Sequence, residues 1–521
     1  VFLIENMPGH YSFGGDFFED YKHKADSLYP SMPRYKKRLI YDQITNHPKV
    51  DSLLTVEEDI KTITADYLIH HIDFMFRLRE KAAWLRKSCG TEDFYEYILP
   101  YSRRNQRLEA ADYEEMERMT DEFAAYASQY GIGHTDIMDQ YQNADFKYLT
   151  LDRLVLEEPL KVPYRKEAFY PQCMEYACYH NYFLRSIGIP ATFDFVPFWG
   201  NMNGSHFWTN LVGRIRPDFR TGFVDEYRIA KVYRETYSKN PAPERRSPAT
   251  YIPSVFRTPF IKDVTEAYVP VSDIAVRFMG SKDKGGYGYL AVFNNMALYP
   301  VAWAEKRWGR TVGFEKMGRG ILYFPVSYSE TGIQQWENHP FELCYDGQAR
   351  YFPPNHDSLV TVTAYRKFPV NQDKIKRSER MYRSIFVASN DPDFRSADTV
   401  HIIPRNPALH MMTASVEPAK TYRYWRFVPS DWCELAELAF YDAKGEKITG
   451  EISLGTIPGD YRNMTDGDPL SSAAVYQWFG IDFKRPVAVS AIDYLPRSDD
   501  NAISPGDKYE LFYYDTSGWV S

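Results

Sequence analysis

The chain has 521 residues, 44% of them hydrophobic and 25% charged, with a formal net charge of −8. That length exceeds a single hydrophobic core and predicts two to four domains. The acidic balance argues against a nucleic-acid partner, since phosphate binding needs a basic surface, and no run approaches the ~18 apolar residues of a membrane-crossing helix.

The five cysteines, Cys89, Cys173, Cys178, Cys344 and Cys433, are scattered. They are too few and too scattered for a disulfide framework, and the lack of a C-x-x-C pair leaves neither a thioredoxin-like site nor a zinc knuckle supported. The opening VFLIENMPGH has no initiator Met and no basic leader. It reads as a processed precursor with any export signal out of view.

Residues 1–150 read as mainly helical. The run from Asp51 to Leu85 carries apolar residues at three- and four-residue spacing, with Thr64 and Ser52 as cap candidates. YEEMERMTDEFAAYASQY, closed by Gly131, predicts another helix. Residues 170–187 predict a helix ended by Gly188 and Pro190. ATFDFVPFW then reads as an extended segment, NMNGS as a turn, HFWTNLV as a strand and RIRPDF as a second short extended piece.

From about residue 240 five prolines mark a linker or surface crossing. Helical periodicity stops there. DIAVRFMG, GYLAVFNN, GILYFPVSY and SLVTVTAYRKF predict strands, and a further β-rich unit begins near 376. The expected architecture is multidomain α+β: a helical region (1–150), a core packed with it (151–255), and two β-sandwich domains (256–375 and 376–521).

The chemistry-bearing residues lie between 172 and 225. A thiol becomes a nucleophile when its pKa falls and a base stands beside it. Cys173 is placed at a predicted helix start, where open amides and the helix dipole favour a thiolate. Cys178 lies mid-helix and reads as a buried, inert thiol. His206 opens the following strand, and a third group must fix its tautomer. Asp218 is the first choice and Asp225 the rival. Taken alone, a cysteine is more often a small hydrophobe than a nucleophile.

C-x-x-x-A at Cys173 and Ala177, then R-S-x-G-I-P-A ending at Ala191, then H-x-W at His206 and Trp208, resembles the core of the transglutaminase-like superfamily. The resemblance covers roughly residues 164–220 and implies a papain-like triad of Cys173, His206 and an Asp. The spacing departs from the usual pattern at the acid, which leaves Asp218 and Asp225 both open. LIENMPGH, DFYEYILPY and the run from Tyr164 to Gly200 also resemble large transglutaminase-like proteins of gut Bacteroidetes, which implies an exported, periplasmic or surface protein.

The expected activity is hydrolysis of a protein or cell-wall amide through an acyl-enzyme. Gln172 would serve as an oxyanion donor and Trp199 and Trp208 as cleft walls, although core packing is the more ordinary role of such rings. The alternative is a catalytically silent scaffold that binds glycan or protein.

YRYWRFVPSDWCELAELAFYD resembles a discoidin-like, galactose-binding-like module, which implies a possible glycan ligand. Asp499, Asp500, Asn501 and Asp507 offer oxygen donors for a structural Ca²⁺, against the plainer reading of a solvated turn. No other cofactor is expected. Trp303 and Trp308 present a ligand or pack the middle sandwich.

Overall fold

The computed structural model describes the chain apart from residues 33, 46–49, 82–88, 131–159, 162–167, 170–172, 214–226, 249, 280–285, 307–309, 359, 369–371, 405–407, 418–419, 455–460 and 516–517. It is a mixed α+β fold with several sheets. Contacts divide it into two compact units. One comprises Val1–Gly200, Gly204–Val292 and Leu298–Phe352; the other comprises Asn201–Asn203, Phe293–Ala297 and Pro353–Ser521.

The longer helices of the N-terminal part of the first unit are α1 (Asp16–Leu28), α2 (Arg34–Thr45), α3 (Ala65–Lys81) and α4 (Ala110–Tyr130), preceded by a short helix at Phe2–Asn6 and a strand at Tyr11–Gly14. Thr64 caps α3, its hydroxyl accepting the Tyr67 N–H at 3.2 Å and so satisfying one amide that a helix start leaves open. α3 buries Leu68, His71, Met75 and Leu78, a 3–4 spacing that turns one stripe to the core. That core also takes Leu39 and Ile40 of α2, Met116 of α4, and Tyr182 and Leu184 of α5 (Cys173–Ser186).

α5 ends where Gly188 adopts φ +79° and donates its N–H to the Arg185 carbonyl at 3.0 Å, a backbone that glycine enters without a Cβ penalty. Arg185 is buried and donates to the carbonyls of Ile98 (2.9 Å), Ser102 (3.2 Å) and Pro100. Desolvation pulls its pKa down to about 10. The N-terminal stretch docks on residues far along the chain. The Tyr237 hydroxyl donates to the Leu3 carbonyl (2.9 Å), and the His10 ring stacks on Tyr237 (4.4 Å) and Phe260 (3.6 Å).

α5 packs on a four-stranded antiparallel sheet of order β4-β3-β1-β2, formed by β1 (Ala191–Val196), β2 (His206–Leu211), β3 (Tyr233–Glu235) and β4 (Ile261–Asp263). Two more sheets follow. β5 (Val271–Arg277) pairs with β8 (Thr311–Gly318), while β6 (Tyr287–Asn294), β7 (Ala297–Glu305), β9 (Ile321–Tyr328), β10 (Phe341–Leu343) and β11 (Ala349–Tyr351) run in the order β7-β6-β9-β10-β11.

β6 is covered on both faces. Leu290 and Val292 share a core with Val276, Val312 and Phe314, while Tyr287, Tyr289 and Ala291 pack with Phe195, Tyr233 and Phe256. A strand buried on both faces reads as a continuous apolar run, which accounts for YGYLAVF. It also joins the 271–351 sheets to the α5 sheet within one compact unit. At the end of β8, a Cβ on Gly318 would overlap the Ile229 carbonyl oxygen.

In the second unit, β12 (Ile385–Ser389), β13 (Asp398–Ile402), β15 (Tyr422–Val428), β18 (Glu451–Leu454) and β20 (Phe479–Val487) form a sheet of order β13-β12-β15-β20-β18. β14 (Met412–Ser415), β21 (Ala491–Pro496), β16 (Cys433–Tyr441) and β17 (Lys447–Ile448) run in that order in a second sheet, with β19 (Ala473–Val475) paired to β16. Phe386, Trp425 and Phe427 from the first sheet meet Leu435, Phe440 and Tyr494 from the second in one core.

SLVTVTAYRKF does not form the expected strand. Its described residues are coil and bends with one isolated bridge, Arg366 to Ala502, and Val360, Val362 and Tyr365 are exposed. Alternating polarity makes a strand only when a sheet edge takes up its backbone groups.

Candidate functional site

Cys173 is the first residue of α5 and is half-buried, whereas Cys178, further along the helix, is buried among Ala177, Phe193, Met174 and Phe207. Burial pushes the Cys173 thiol up, and Glu175 in the same turn adds to the rise. Backbone hydrogen bonds from Phe207, Met174 and its own peptide pull the other way by favouring the thiolate. Burial raises Cys178 much further.

His206 opens β2, paired with Val196 across the β1–β2 ladder. Successive side chains on a strand turn to opposite faces. Thr209 faces α5, its hydroxyl donating to the Ala177 carbonyl at 2.7 Å, and Phe207 packs on Ala177 and Cys178. Trp208 and Asn210 face the other way. The His206 ring stacks on Trp208 (5.6 Å, 27°) and on Trp199 (6.1 Å, 24°). The helix start therefore meets this strand through the Phe207 backbone, while the His206 ring keeps company with two tryptophans. Both tryptophans are buried, at 3% and 4% exposure, so they pack the site rather than offer an open platform.

Behind Trp208 lies a polar network that sequence reasoning passed over. Asp194 on β1 is fully buried and takes two hydrogen bonds from Arg234 on β3, both 2.8 Å. The Tyr268 hydroxyl donates to Asp194 and accepts from Trp208 Nε1 (3.2 Å) and Asn210 Nδ2. Burial, with Asp194 adding, holds the Tyr268 phenol well above its ordinary range. The signal was visible: an Asp in the middle of an apolar strand, ATFDFV, needs a charged or hydroxyl partner.

Gln172, Asp218, Asp225 and Trp308 lie outside the described residues. Trp303 is partly buried, edge-on to Tyr287 at 5.6 Å. The proposed calcium donors are engaged within the second unit. Asp499 pairs with Arg497 (2.9 Å), Asp500 with Lys367 (2.8 Å) and Asp507 with the Tyr509 hydroxyl (3.0 Å), while Asn501 binds the Phe368 N–H (2.7 Å) and carbonyl (2.8 Å). Among the described residues no cluster of three or more His, Cys, Asp or Glu side chains is arranged to hold a metal ion, and no helix is long and apolar enough to cross a membrane.

Comparison of the chain with protein-family models, characterised proteins and solved structures gives no match.

Proposed function

We propose that the chain is an exported, transglutaminase-like cysteine hydrolase of peptide or cell-wall amides, with Cys173 as nucleophile and His206 as base. One observation carries this reading. The half-buried Cys173 is the first residue of α5, and α5 packs on β2, the strand that His206 opens.

In this reading His206 takes the thiol proton and the sulfur attacks an amide carbonyl. Backbone amides at the helix start, with Gln172, hold the oxyanion. The C–N bond breaks, and the amine leaves with the proton from His206. Water, activated by the same imidazole, adds to the thioester, and the acid departs as Cys173 regains its proton. Asp218 or Asp225 orients His206, the two β-sandwich regions serve targeting, and the discoidin-like one holds a glycan.

The silent-scaffold reading draws on two other observations: the pleat puts the His206 ring with Trp199 and Trp208 on the face of β2 opposite α5, and burial raises the thiol pKa.

The test is labelling of the full chain by a peptide vinyl sulfone at neutral pH, read by mass mapping. Label is expected on Cys173, absent in Cys173→Ala and slowed by roughly 10²-fold or more in His206→Asn. Labelling of His206→Asn at the parent rate would move the weight to the scaffold reading.

A further inference from the structure

The outward face of the β15–β20–β18 sheet in the second unit carries a pocket of about 220 Å³. Trp425, Ile452 and Ile481 turn to the core, so the pleat sends Tyr424, Arg426, Gly480, Asp482 and Ser453 outward. Arg426 is held between two aromatic rings, its guanidinium carbon 3.8 Å from the Phe394 ring centre and 3.7 Å from that of Trp478.

Two backbone features serve this stack. Phe394 adopts φ +57°, a left-handed conformation uncommon for a bulky residue and typical of ligand clamps. Gly480 sits opposite Arg426 in the β15–β20 register. A Cβ there would come 2.7 Å from the Trp425 carbonyl oxygen, 3.0 Å from Arg426 Cγ and 3.3 Å from the Trp478 ring, so glycine leaves the stack its room.

The charges around the pocket are unequally matched. Asp482 holds Arg423 through two bonds (2.8 and 2.9 Å) and Lys484 at 3.1 Å, and Lys484 reaches Glu451 at 2.5 Å. Arg426 donates to the Pro392 carbonyl at 3.3 Å and makes no ion pair among the described residues. Desolvation lowers its pKa, with only Asp393 opposing. A planar guanidinium fixed by stacking and lacking an anion presents its edge to a carboxylate.

We propose that this pocket binds a sugar ring carrying a carboxylate, with the acid on Arg426. The volume is below the ~300 Å³ at which pockets begin to hold drug-sized molecules, which suits one ring. Phe394 and Tyr424 offer apolar faces to ring C–H groups. Ser453, Asp482 and Glu451 supply hydrogen-bonding groups for hydroxyls, and the two carboxylates disfavour a second acid. It rests on the reading of this module as one that holds a glycan, and it is separate from Cys173, so failure of the cysteine chemistry leaves it standing.

The test is titration of the full chain, followed by calorimetry, with D-galacturonate and D-glucuronate. D-galactose, D-glucose, acetate and an N-acetylated tripeptide with a free C-terminus serve as comparisons. One uronate is expected to bind saturably and at least ~10-fold more tightly than its neutral hexose, than acetate and than the peptide. Arg426→Gln should abolish this with the thermal unfolding of the chain unchanged. Arg426→Lys, which keeps the charge but not the planar stack, should weaken it about 10-fold, and it carries the test if Arg426→Gln misfolds. Absence of uronate binding, equal binding of uronate and hexose, or full binding by the arginine variants would overturn the proposal. Preference for the peptide would overturn it in favour of a peptide C-terminus.

Discussion

Asp194→Asn is the most informative single change in the first unit. The parent carboxylate takes two 2.8 Å bonds from Arg234 and one from Tyr268 while fully buried. Asparagine keeps the size, removes the charge and turns an NH2 group toward donors. Arg234 then keeps its charge with only 17% of its side chain exposed. Orphaning one member of a buried pair costs about 3–5 kcal/mol. The residual exposure of Arg234 puts this case near the lower end, about 3 kcal/mol, or roughly 10²-fold in the folded-to-unfolded ratio.

The assay is urea denaturation with hydrogen exchange read on peptides from β1, β2 and β3, which follows this network separately from the second unit. Asp194→Asn combined with Arg234→Met removes the orphan charge and should recover part of the loss. Because Trp208 and Asn210 both bond Tyr268, the single variant should also slow labelling of Cys173. A loss below about 1 kcal/mol, or a double variant much worse than the single one, would refute the reasoning.

Three further outcomes are expected. His71 is buried with its ring nitrogens on the Tyr113 hydroxyl (3.1 Å) and the Leu99 carbonyl (2.5 Å), and burial pulls its pKa down to about 3. The unfolded value is about 6.5, so the unfolded state gains its proton first as pH falls. First-unit stability should drop by about 2 kcal/mol between pH 7 and pH 5, and His71→Gln should flatten that slope in urea melts; an unaltered slope counts against it. Glu437 runs the other way. Burial, with Asp466 adding, raises its pKa to about 7, so second-unit stability is full below the unfolded carboxylate value and is lost as pH rises through 7. Glu437→Gln should raise the second unit's melting temperature at pH 8 and leave it unchanged at pH 4. Iodoacetamide should reach Cys173 well before Cys178 and Cys433, which are buried with raised pKa values; equal rates by mass mapping would contradict the thiol ordering.

The parts of the fold that announced themselves in the sequence are those set by local rules. Thr64 before a 3–4 apolar stripe gave a capped helix, and Gly188 before Pro190 gave the end of α5. Alternation in HFWTNLV gave β2, because one face of that strand packs on a helix and the other on a polar network. What stayed hidden depended on distant partners. The extent of the first unit rests on β6 being covered on both faces, and apolar content alone does not say by what. SLVTVTAYRKF has the right alternation but forms no strand among its described residues. At the site, Cys173 and His206 were legible as residue types in a spaced pattern. The alternation that sends the His206 ring toward Trp208, and the burial of Trp199, needed the pleat and the packing.

The docking of Leu3 and His10 onto Tyr237 and Phe260 bears on the order of synthesis. Residues at the start of the chain emerge from the ribosome more than two hundred positions before the residues that cover them. At ~5–20 residues per second, that interval is tens of seconds. The grip of Arg185 on the carbonyls of Ile98, Pro100 and Ser102 imposes a second wait of the same kind. Contacts of such long range slow folding, so during translation the part of the helical core that α5 and Tyr237 complete stays open until they arrive. That core is therefore a stretch of the nascent chain that chaperone cover would protect.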